Sequence, residues 1–131
     1  MPRKGTTKDA IAMLKEDHSK VKDLFDKFEE TTGSATKGKI VDAALMELKL
    51  HATVEEQLFY PSVRHEIDDE EGIMDEADEE HHVAKVLIAE LENMTGDEEH
   101  WAAKFKVLAE SVRHHIKEEE SKMFKEARKT D

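Results

Sequence analysis

Hydrophobic positions recur along the chain at alternating three- and four-residue steps, the spacing of one face of an α-helix. Ile11, Leu14, His18, Val21, Phe25 and Phe28 mark such a face from about Thr7 to Glu30, with Thr6 or Thr7 placed to cap its start. The stretch TTGSATKG ends this segment. Val41, Leu45, Leu48, His51, Glu55 and Phe59 mark a second segment, which Pro61 is expected to kink or end near Tyr60. The acidic run from Glu66 to Gly72 reads as the middle linker. Ala77, His81, Ala84, Ile88 and Leu91 mark a third face, stopping at Thr95-Gly96. Thr95 and Glu98 have capping-box spacing for a fourth segment. That segment carries Trp101, Phe105, Leu108, Val112, His115, Glu119 and Met123. No segment alternates with a period of two. Long amphipathic helices with short connections predict an all-α fold, an up-down-up-down antiparallel four-helix bundle.

The two halves of the pattern repeat. Asp17-His18 matches Glu80-His81 at an offset of 63, and His51 and Glu55 match His115 and Glu119 at an offset of 64. The match extends to Glu55-Glu56 with Phe59-Tyr60, which fall on Glu119-Glu120 with Met123-Phe124. Each half is a helical hairpin with one His on its first helix and His-x-x-x-Glu on its second. A length of 131 residues suits one core. Residues 1–131 are therefore expected to form a single domain, with repeats at about 7–66 and 72–128.

Six polar residues interrupt the apolar faces: His18, His51, Glu55, His81, His115 and Glu119. Packing the faces together brings four imidazoles and two carboxylates into the core, with no Lys or Arg at the same level. An unpaired buried carboxylate is costly, and two cations remove the cost. Residues four apart stack one turn apart on a helix, so Glu55 and Glu119 are placed to bridge while the histidines terminate. Imidazole and carboxylate without sulfur suit iron best, with manganese or zinc possible. His82 and His114 adjoin the proposed ligands, and His114-x-x-x-Glu118 is a competing motif. Their faces align with polar residues, so they read as surface positions, as do His65 and His100. Phe25, Phe28, Phe59, Phe105 and Phe124 read as core packing. Tyr60, beside Pro61, reads as structural, with a hydrogen-bonding or redox role as the alternative.

Composition narrows the function. A net charge of -12 argues against nucleic acid and anionic membrane surfaces. The acidic runs read as a solvated surface and lack a calcium-hand loop. The absence of cysteine excludes disulfides, thiolate metal sites and thiol catalysis, and suits a reducing cytosol. No apolar run approaches membrane length, and the N-terminus lacks the apolar stretch of a secretory signal. A cytoplasmic location is expected.

The motifs LKEDH, HATVEEQLFYP, EEHH and HHIKEEESKMF, in this order across nearly the whole chain, resemble the hemerythrin-like HHE cation-binding family. The resemblance implies a non-haem di-iron centre with an oxo or hydroxo bridge. It implies His18, His51, His81 and His115 as terminal ligands and Glu55 and Glu119 as bridges. One position departs from the oxygen carriers of that family, which have a further His where this chain has Lys85, mirrored by Lys22. That predicts a more symmetric site, one nitrogen short, with an open position. The leading expectation is a di-iron protein, monomeric or weakly dimeric. It binds or reacts with oxygen, nitric oxide or peroxide, or handles iron. The alternatives are a di-iron enzyme with catalase-like or oxidase activity, and a metal-free helical interaction module. Nothing in the sequence signals a cleft for a large substrate.

Overall fold

The computed structural model describes residues 7–66 and 72–128. Six α-helices are present among them: α1 (Thr7–Glu30), α2 (Ser34–Val54), α3 (Tyr60–Glu66), α4 (Ile73–Glu92), α5 (Trp101–Glu118) and α6 (Phe124–Arg128). A π-helical turn over Glu55–Phe59 splices α2 to α3, and a second over Glu119–Met123 splices α5 to α6. Four rods result, with no strand among the described residues, as the periodicity predicts. The rods form a four-helix bundle in which α1 packs on α2 and α4 on α5. The predicted cap at Thr6 and most of the acidic linker lie outside the described residues. No described helix is long and apolar enough to cross a membrane.

Three boundaries differ from the pattern. Only Thr31–Gly33 separates α1 from α2, and Ser34 to Gly38 are helical. A connection that short forces the two helices antiparallel. Pro61 does not end the second rod, which runs on to Glu66. Proline lacks an N–H and crowds the carbonyl four residues back in an α-turn. The π turn just before it widens the helix, so that the Tyr60 amide bonds to the Glu55 carbonyl and the ring is accommodated. The second π turn has Lys125 at the matching position, so the proline is not its cause. Thr95 and Glu98 do not cap α5 either. They close a turn, with the Glu98 amide 3.0 Å from the Thr95 carbonyl, while α4 has already ended at Glu92. The residue that precedes α5 is His100, at φ 71. That left-handed conformation is uncommon for a residue with a Cβ, although His adopts it more readily than most.

The buried residues fall into two apolar clusters. One holds Val21, Phe25, Phe28, Leu45, Leu48, Ile88, Trp101, Phe105 and Val112 with their neighbours. The other holds Ile11, Leu14, Phe59, Tyr60, Val63, Met74, Met123 and Phe124 with theirs. Each large buried side chain contributes about 1.5–3 kcal/mol. All five phenylalanines are buried, as predicted. Between the clusters, on every rod, lies the polar layer.

Candidate metal centre

All six predicted residues are buried: His18, His51, Glu55, His81, His115 and Glu119. The structure brings them together as two groups that share their carboxylates. In the first, His18, His51, Glu55 and Glu119 turn one donor atom each towards a common centre. In the second, His81 and His115 do so with Glu55. Each hairpin thus gives both of its imidazoles to one group. The carboxylates span the two. Glu55 Oε2 lies 3.3 Å from His51 Nε2 and its Oε1 3.1 Å from His81 Nε2. Glu119 Oε1 lies 3.1 Å from His18 Nε2 and its Oε2 3.0 Å from His115 Nε2.

The two groups differ in how their polar atoms are satisfied. In the first, His18 Nε2, His51 Nε2, Glu55 Oε2 and Glu119 Oε1 are buried and have no hydrogen-bond partner. They approach one another closely, but not along hydrogen-bonding directions. Orphaned buried polar atoms are rare in folded proteins and costly. Four of them facing one point is the arrangement a cation resolves.

In the second group the Tyr60 hydroxyl fills the centre. It donates to Glu119 Oε2 at 2.5 Å or Glu55 Oε1 at 3.2 Å, and lies 3.1 Å from both His81 Nε2 and His115 Nε2. One O–H cannot serve four neighbours at once, so this oxygen sits at a crowded focus of donors. Tyr60 is therefore a site residue and not packing alone. Its counterpart Phe124 has no hydroxyl and stacks on His18, with ring centroids 5.9 Å apart. The site is less symmetric than the lysine pattern suggested.

Charge accumulates in the metal-free centre. Burial works to raise the Glu55 pKa. The polar groups of Glu119, His115, His51 and His81 crowded against it outweigh burial and hold the carboxyl well below its usual range. Burial lowers the His115 pKa, but the neighbouring Glu119, Glu55 and Glu80 carboxylates push it up to about 12. Burial, then the negative charges of Glu119 and Glu55, hold the Tyr60 phenol protonated far above its ordinary range.

A second ring of carboxylates aims the imidazoles. His18 Nδ1 lies 2.7 Å from Glu120 and His81 Nδ1 2.7 Å from Glu56. His51 Nδ1 lies 3.3 Å from Asp17 and His115 Nδ1 2.8 Å from Glu80. An Nδ1–H given to a carboxylate turns the Nε2 lone pair inward, the tautomer that binds a metal. This ring obeys the repeat. Its signal was present in the sequence, because Asp17/Glu80 and Glu56/Glu120 are duplicated in register, but the sequence reading assigned them no role. Lys85 braces the ring from outside, 2.5 Å from Glu56 Oε1. His65, His82, His100 and His114 are exposed, as expected from their faces.

A family profile described as the Hemerythrin HHE cation binding domain matches residues 9–127. The chain belongs to that family. No curated protein and no solved structure matches it. Cation binding is the property the family name carries, and the buried His/Glu groups are disposed for it. In this HHE chain the outer carboxylates give a direct test. Replacing Glu80 with Ala frees His115 to rotate and is expected to weaken cation affinity by about 10–100-fold. Competitive titration against a chromophoric chelator measures it, and an unchanged affinity would remove Glu80 from the site.

A cavity of about 290 Å3 adjoins the centre between α2 and α4. His18, His51, Glu55, His81 and His115, all buried, are among the residues that line it.

Proposed function

We propose that this chain is a di-iron protein whose centre binds or reacts with a small ligand such as oxygen, nitric oxide or peroxide. The observation that carries the reading is the set of four orphaned buried atoms on His18, His51, Glu55 and Glu119. Those residues would hold one ion. Glu55, His81, His115 and Glu119, with the Tyr60 oxygen among them, would hold the other. The donor set is nitrogen and hard oxygen without sulfur, which suits iron. Bound iron supplies redox and Lewis-acid chemistry. The chain's own residues supply the rest. The outer carboxylates orient the imidazoles, the Tyr60 oxygen stands beside the two carboxylates, and the apolar clusters limit water.

The metal-free interaction module is disfavoured by the same orphaned atoms, since a purely structural polar layer would have paired them.

Anaerobic titration of chelator-stripped protein with ferrous iron tests the proposal. Uptake of about two irons per chain is expected, with a rise in melting temperature. A ligand bound only by the native state stabilises it by about 4 kcal/mol at a 1,000-fold excess over Kd. Uptake of less than one iron with an unchanged melt sinks the reading.

A further inference from the structure

We infer that the cavity beside the centre seats an uncharged, apolar organic molecule against the candidate metal site. This rests on the di-iron reading and names a substrate class for it.

Size is the first argument. A cavity of about 290 Å3 is larger than a diatomic ligand or peroxide requires. A single water claims about 30 Å3 of the liquid, and an apolar cavity of about 150 Å3 already holds a benzene molecule. The volume here matches a substituted aromatic ring or a branched hydrocarbon of similar bulk. The sequence offered no sign of such a space, because no single motif makes it. Small side chains on facing rods, Ala52 on α2 and Ala84 on α4, leave it open.

The lining decides polarity. Val21, Leu48, Ala84, Ile88, Val112 and Ile116 supply the wall. The buried polar residues of the lining belong to the donor groups. The two lysines that touch the cavity are both committed. Lys49 lies 2.9 Å from Glu92 and Lys85 2.5 Å from Glu56. Among the described residues, the part of the wall beyond the donor groups offers an anionic headgroup only these paired lysines, and it sets Glu80 and Glu92 against it. A cation would have to leave water for a largely hydrocarbon wall in which Glu80 is already bonded to His115 and Glu92 to Lys49. A neutral apolar molecule meets neither obstacle, and its burial against these side chains is favourable.

Position gives the cavity its use. The lining extends from the buried imidazoles to Lys49 on α2 and Lys85 and Glu92 on α4, whose side chains are exposed. An occupant therefore places one end beside the donor groups and the other between the rods. Molecules of this class are recognised by shape, with little directional bonding to the wall.

The test uses cumene as the probe and the methyl resonances of Ile88, Val112 and Ile116 as the readout. Cumene is titrated into the full chain, both metal-free and iron-loaded. Saturable shifts confined to cavity methyls are expected. Ala84→Leu fills the space from α4 and Ala52→Leu fills it from α2, so one variant can stand in if the other misfolds. Each is expected to weaken cumene binding at least about tenfold while taking up iron like wild type. No saturable shift in the wild-type protein, or unchanged affinity in both variants, overturns the proposal. Iron content measured on the same samples separates the two readings. An iron-loaded chain that ignores cumene loses the cavity assignment alone. A chain that binds cumene but no iron loses the di-iron reading, and the bound molecule loses its standing as a substrate.

Discussion

Glu119→Ala is expected to empty both cation positions at once. One Glu119 oxygen faces His18 and the other faces His115 and the Tyr60 hydroxyl. Removing the carboxylate therefore strips a donor from each group together with a negative charge that offsets bound cations. The loss should exceed the roughly 10–100-fold cost of removing an outer partner. After desalting, elemental analysis should find less than one iron per chain. Glu119→Gln keeps the shape of the side chain and removes its charge, so it distinguishes charge loss from a packing defect. Glu118→Ala, one residue away and paired with Lys122, should load like wild type. Full iron content in Glu119→Ala would show that the carboxylate does not span the centre.

Tyr60→Phe is expected to change the metal-free and the loaded protein in different ways. In the metal-free chain the phenol O–H donates to Glu119 or Glu55, and its oxygen lies 3.1 Å from both His81 Nε2 and His115 Nε2. Deleting it leaves buried acceptors without that donor, a cost of about 1–3 kcal/mol. Thermal melts of stripped protein should show the loss. In the iron-loaded chain the cations would offset the carboxylate charges that, after burial, keep the phenol protonated. The oxygen, already at the focus of the second group, is then free to ligate as phenolate. Wild-type ferric protein should show a visible phenolate-to-iron absorption that Tyr60→Phe abolishes. Phe124→Leu alters the matching position of the other repeat and should retain the band. Identical visible spectra for wild type and Tyr60→Phe would leave the phenol as a hydrogen-bonding group only.

The helix count and the six buried polar residues were legible because both follow from spacing. Apolar residues every three or four positions must share a face, and a His or Glu in that series must enter the core. A hydrogen-bonding role for Tyr60 was only the alternative reading, and its place inside the centre was not legible, for a geometric reason. At about 100° per residue, an unbroken α-helix from His51 carries Tyr60 well off the face shared by His51, Glu55 and Phe59. The π turn holds one extra residue and sets the following helix back by about one position. Tyr60 then falls where the series expects its predecessor, and the same shift brings Phe124 inward after Glu119. Periodicity assumes a constant pitch, so a local change of pitch is invisible to it. The Thr95-Glu98 pair failed for a different reason. Its spacing serves a turn as well as a cap, and only the start of α5 at Trp101 discriminates between them.

The exchange of carboxylates between the halves has a kinetic consequence. The first group takes its imidazoles from α1 and α2 and one carboxylate from the second hairpin, and the second group does the reverse with Glu55. A cation in either position is therefore tied to both hairpins. It cannot leave by the fraying of one rod end. Parting the hairpins would break its contacts to both, and that motion opens both apolar clusters. Global unfolding of a loaded chain would have to break both sets of contacts at once, so a bound ion is expected to slow unfolding.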